Sequence, residues 1–162
     1  MTDNLKGRPV LVHPELSYDP AGKQNQVGVI SKADLMNDDV FVAFGKEVAL
    51  YSTDALLVLL PAEEIHQHLA DMAYETPFAE LKPLTQIDLF LRYGSPGKEM
   101  TAMQLARDNP AIRPLCLDTL QNQIINDIMG KGHCDLWIMM IIMINASGII
   151  GKNLSSALFF VR

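Results

Sequence analysis

"DDVFVAFGKEVALYSTDALLVLLP", Asp38 to Pro61, decides the fold: its apolar runs are short, β-branched and punctuated by turns, and the pattern stops at a proline. Val40, Val42 and Phe44 alternate with Phe41 and Ala43, the period of a strand whose two faces differ. Gly45-Lys46-Glu47 reads as a hairpin-like turn and "VALY" as the returning strand. "STDALLVLL" then reads as a tight helical turn running into a last strand.

Toward the N-terminus the grammar is the same. "PVLV" (Pro9–Val12) alternates and ends at His13-Pro14, and a polar loop follows with turn signals at Asp19-Pro20 and Ala21-Gly22. "VGVI" (Val27–Ile30) begins the next strand, and Asn37-Asp38-Asp39 turns the chain into the stretch quoted above. Five short strands with no room for crossover helices predict a small antiparallel sheet closed on itself, which would hide its edges.

These residues carry a resemblance. "GRPVLV…QVGVI…DDVFVAF…ALYSTDALLVLLP" is similar to the SH3-like barrels of the KOW and Tudor type, over about a third of the chain. The resemblance implies an SH3-like barrel over residues 5–60 that serves as a binding module with aromatic side chains on one rim. With Val40, Val42 and Phe44 facing inward, Tyr18, Phe41 and Tyr51 are the candidate partner-binding residues. In a plainer reading Phe41 packs under helices and the tyrosines cover loops. A protein partner is the expected ligand; an RNA- or ribosome-associated role of the KOW kind is the competing one.

Beyond Pro61 the period changes. "AEEIHQHLADMAYE" (Ala62–Glu75) carries Ile65, Leu69, Met72 and Ala73 at helical spacing, with Glu63 and Glu64 in the first turn, where the helix dipole favours acids. "PLTQIDLFLRYG" predicts a second helix with Pro83 in its first turn and Gly94 as its stop. "SPGKEMTAMQLARDNP" predicts a third, with Met100, Met103, Leu105 and Ala106 as apolar positions. Asp118 is the expected cap of a fourth, striped by Leu117, Leu120, Ile124 and Ile128 and closed by Gly130. The fold class is therefore α+β: a barrel over 5–60, a helical region over 62–130, and a hydrophobic tail over 131–162.

Composition narrows the function. Residues 1–130 hold 10 Lys/Arg and 18 Asp/Glu, a net charge of −8, which repels phosphate backbones and makes nucleic acid an unfavourable ligand. Two cysteines, Cys116 and Cys134, cannot build a disulfide framework, and the first twelve residues have no apolar run of signal-peptide length. Both observations predict a cytoplasmic protein.

No catalytic signature is present: the chain has no Gly-rich phosphate loop, no GxSxG and no HExxH. His66 and His68 lie two apart on a helix and so point about 200° apart, too far to share one ion. His133-Cys134 lacks two further ligands at any metal spacing, and "RPLCLDTL" is an apolar setting that suits a structural Cys116. Neither an enzyme, a metal nor a cofactor is expected. The sequons at Asn145 and Asn153 carry no weight without a secretory route.

"LWIMMIIMINASGIIG" (Leu136–Gly151) is uncharged and leaves three readings open. As a helix it would be about 24 Å long, somewhat short of the ~30 Å hydrocarbon core, so it reads as a marginal membrane anchor and the protein as a tethered adaptor. The turn-like "NASG" (Asn145–Gly148) favours packed core instead, and the abrupt shift in composition favours an appended tail without a role. A chain cut after Gly130 is expected to stay soluble and to unfold cooperatively in denaturant. Aggregation of that truncation moves the tail into the core.

Overall fold

Alternation of the first sixty residues becomes strand wherever the sequence shows it. Five strands, β1 (Pro9–Val12), β2 (Val27–Asp34), β3 (Asp39–Phe44), β4 (Glu47–Tyr51) and β5 (Leu56–Leu59), run antiparallel, and a 3-10 turn at Thr53–Ala55 leads into β5. The computed structural model describes residues 5–74, 76–95 and 97–130. Leu136–Gly151 lies outside them. Among the described residues no helix is long and apolar enough to cross a membrane.

The helical half contributes α1 (Ala62–Met72), α2 (Phe78–Tyr93), α3 (Lys98–Asp108), the single turn α4 (Arg113–Cys116) and α5 (Leu120–Gly130). The architecture is α+β, a six-stranded antiparallel sheet with helices. Two compact units divide the chain, Met1–Ile124 and Ile125–Arg162, and the whole sheet with α1 to α4 lies in the first.

Three details depart from the sequence-based expectation. The sheet does not close into a barrel. Its order is β4-β3-β2-β1-β5-β6, where β6 is Leu117–Thr119. The outer edge of β5, which closure would have given to β4, is taken by β6 through the pairs Leu57↔Thr119, Val58↔Asp118 and Leu59↔Leu117. Leu117 and Asp118 are thus strand rather than helix, and capping passes one residue on, to Thr119. Its Oγ1 accepts the Asn122 amide at 3.2 Å, satisfying a donor of the first turn of α5. Finally, α2 starts at Phe78 after Pro77, so Pro83 sits inside it. The intrahelical bond that Pro83 cannot donate would have gone to the carbonyl of Ala79, an exposed residue that water reaches.

Strand pleating sorts the sheet into two faces. Val10, Val12, Ile30, Val40, Val42, Leu56 and Val58 share one face and are fully buried. The other face carries Leu11, Leu57, Leu59 and Leu117, which form one core with Ile65, Leu84, Ile87, Ala102, Met103, Ala106, Ile112 and Cys116 from the helices. Small residues Ala102 and Ala106 let α3 lie close over β1 and β2. Arg8 and Gln123 fasten this arrangement: the guanidinium donates to Gln123 Oε1 (2.5 Å) and to the Leu59 carbonyl (3.2 Å), which also accepts from Gln123 Nε2 (2.8 Å). Between α1 and α2, buried Asp88 accepts from Arg92 Nε at 2.7 Å, and Arg92 reaches the Ala62 carbonyl.

Gly28 of β2 leaves no room for a side chain against β3. A Cβ there would overlap Val42 Cγ1 and stand 2.8 Å from Phe44 Cε1. Val42 is fully buried and has nowhere to move. Gly28→Ala is expected to destabilise the fold by about 1–3 kcal/mol, the usual cost of overpacking, read as a lower urea midpoint at unchanged slope.

Candidate functional site

The β3–β4 hairpin fixes what the sheet presents to solvent. Phe44 pairs with Glu47, leaving only Gly45 and Lys46 in the loop. Gly45 has φ +67° and Lys46 does not have positive φ, the pattern of a type II′ turn, which matches the strand twist. Register follows from the turn: Ala43 faces Val48, Val42 faces Ala49, Phe41 faces Leu50 and Val40 faces Tyr51. Directly opposed residues share a face. Phe41, Ala43, Val48 and Leu50 therefore lie together on the face that the helices cover further along, at β1, β5 and β6.

Here nothing described covers it. Val48 is 59% exposed and Leu50 50%, and Phe41 is half-buried. Lys32 of β2, opposite Phe41, holds its ammonium 5.6 Å from the ring centroid. A bulge at Ser31 makes this placement, and its hydroxyl donates to the Phe41 carbonyl at 3.0 Å. The result is an apolar ladder two residues wide with the Lys32 ammonium at its margin.

Of the three aromatic residues expected at the rim, the structure does not bring Phe41 and Tyr51 together. Tyr51 pairs with Val40 and is buried on the opposite face, edge-on to Phe44 with ring centroids 6.5 Å apart. Its hydroxyl donates to Asp19 Oδ1 at 3.1 Å. Asp19 also accepts the amides of Ala21 (3.0 Å) and Lys23 (2.6 Å), so Tyr51 anchors the loop on which Tyr18 stands 79% exposed. The expected set omitted Val48 and Leu50. A two-residue loop at Gly45-Lys46 was the signal that selects them, because a three-residue turn would have set Phe41 against Tyr51.

Other polar clusters are engaged internally. His68 Nδ1 lies 2.8 Å from the Leu115 carbonyl, and His66 Nδ1 lies 3.5 Å from Asp88. Cys116 is buried and donates to the Ile112 carbonyl, and burial pushes its pKa up to about 12, so the thiol stays protonated and a poor nucleophile. A groove of about 370 Å³ beside β6 is lined by His13, Arg113, Asp118 and Thr119. Arg113 donates to Asn25 and to the carbonyls of Ala106 and Arg107, while Asp118 accepts from Asn122 and His13 from the Glu15 amide. Among the described residues no three His, Cys, Asp or Glu side chains converge as a metal site would require.

Burial, together with the hydrogen bond to Asp19 and its negative charge, raises the Tyr51 pKa to about 12. The folded state then holds this proton more tightly than the unfolded chain, whose tyrosine titrates near its ordinary value of about 10. The associated stability is complete below pH ~10 and is lost as pH rises toward 12. Phenolate absorbance is expected to show one late-ionising tyrosine, absent in Tyr51→Phe; a titration unchanged by that substitution contradicts the Asp19 contact. Comparison with protein-family models, curated proteins and solved structures finds no match to this chain.

Proposed function

We propose that the protein is a non-catalytic interaction module that binds a protein partner through the open β3–β4 face. One observation carries this reading: Val48 and Leu50, paired with the half-buried Ala43 and Phe41, are exposed on the same sheet face whose other half is core. Exposed apolar surface of this kind, rimmed by polar residues, is a common mark of a protein interface. Phe41 supplies the aromatic anchor, and Leu50 and Val48 supply contact area. Tyr51 acts indirectly, by holding the loop that presents Tyr18.

An acidic body with a net of −8 over residues 1–130 fits a protein ligand better than RNA. No chemistry is assigned to the module, in keeping with the protonated, enclosed Cys116. Its setting in this reading is the cytoplasm, where such a thiol stays reduced.

Affinity capture from a lysate by the full chain, compared with Leu50→Lys and Phe41→Ala, tests the surface. Both side chains are at least partly exposed, so each variant is expected to fold with a stability loss near 1 kcal/mol or less. Captured protein is expected to fall about tenfold or more with Leu50→Lys. Equal capture by all three chains removes this face from consideration. Retention of nucleic acid that drops steeply between low and moderate salt replaces the protein reading with the RNA one.

A further inference from the structure

The outer edge of β4, unpaired among the described residues, specifies its own complement. In a hairpin closed by a two-residue loop, Phe44 and Glu47 exchange both backbone hydrogen bonds, and hydrogen-bonded pairs recur at every second residue. Ala49 and Tyr51 accordingly direct their amide and carbonyl groups at β3. Val48 and Leu50 direct theirs away from the sheet, and no described backbone group bonds to them. The strand also lacks the features that usually blunt an edge: "EVALY" has no proline, no lysine and no bulge against β3. Its one charge, Glu47, lies on the opposite face from Val48 and Leu50 and is held by Lys23 at 2.5 Å.

We propose that a second copy of this chain occupies this edge, β4 pairing antiparallel with β4 of the other copy about a twofold axis through Ala49. The inference rests on the β3–β4 face being a protein-binding surface and names its partner. With the axis at Ala49, Val48 of each copy meets Leu50 of the other as a hydrogen-bonded pair, so the outward-pointing groups of both residues are satisfied four bonds at a time. The two Ala49 residues form the close non-hydrogen-bonded pair, with Cα atoms about 4.5 Å apart, where a small side chain fits. Glu47 meets Tyr51, so no like charges oppose. Moving the axis to Val48 or to Leu50 sets Lys46 or Ser52 against an apolar side chain instead. At Ala49 the two Val48–Leu50 pairs, flanked by both Phe41 rings, join into one apolar stripe across the axis. Such an interface is smaller than the roughly 1,600 Å² of a standard one, so the dimer is weak and concentration-dependent.

The test is sedimentation equilibrium of the full chain over a wide concentration range, with Val48→Pro and Leu50→Lys beside it. Proline at 48 removes an amide that points off the sheet and leaves the bonds to β3 intact. A reversible monomer–dimer equilibrium is expected, weakened roughly 10- to 30-fold by Val48→Pro, since two interface hydrogen bonds are lost per dimer. Leu50→Lys, which puts an ammonium into the stripe, weakens it without touching the backbone. Ala49→Cys is expected to cross-link readily under mild oxidation while Val48→Cys does not, with the parent chain, carrying Cys116 and Cys134, as control.

Self-association insensitive to all of these changes places the contact elsewhere and overturns the proposal. A chain that stays monomeric at every concentration overturns it too. In that case partner capture that still depends on Leu50 leaves the protein-binding face standing, and capture that does not removes both.

Discussion

Leu117–Thr119 holds the outer edge of β5, and the rest of the architecture depends on that pairing. A five-stranded sheet of this kind closes on itself by joining its last strand to its first free one. Here the position beside β5 is filled by a strand from the helical half of the chain. Sheet and helices are thereby stitched into one core, with Leu57 and Leu59 facing Ile65, Leu84 and Met103, and the ring is left open at β4. The hairpin, without a cover among the described residues, is the structural counterpart of that stitch.

The asymmetry extends along a single face. Near β1, β5 and β6 it is covered by α3 and its neighbours, and Leu11 is fully buried. Toward β4 the same face keeps an apolar composition without a described cover. A sheet face usually turns polar where helices stop, because exposed aliphatic residues gain nothing from water. Val48 and Leu50 break that habit on adjoining rungs. Lys32 beside Phe41 tempers the patch without interrupting it.

Much of this was legible in the sequence, for local reasons. The strands declare themselves by short β-branched runs bounded by turn residues and the helices by a change of period at Pro61, signals that need only a few residues to read. The parts that were not legible depend on pairing. "LDT" is too short to show a period, so only β5 makes it a strand. Closure was inferred from the need to cover edges, but which segment covers which edge is settled by a residue some sixty positions away. Phe41 and Tyr51 were set side by side by one extra residue in the turn, since a shift of one in register sends a side chain to the other face. Tyr51 moved from rim to interior on that count alone.

The long reach of the β5–β6 pair also has a bearing on how the chain is made. Strands β2, β3 and β4 are joined by short turns and can assemble as soon as they leave the ribosome, and β5 can then pair with β1, whereas the outer edge of β5 stays unpaired until Leu117–Thr119 has emerged. Through the synthesis of α1 to α4 the nascent sheet therefore carries the apolar strand β5 at its edge, a place the three-residue β6 takes later. Leu56–Leu59, wholly apolar and destined for burial, is the segment most in need of shielding during that interval.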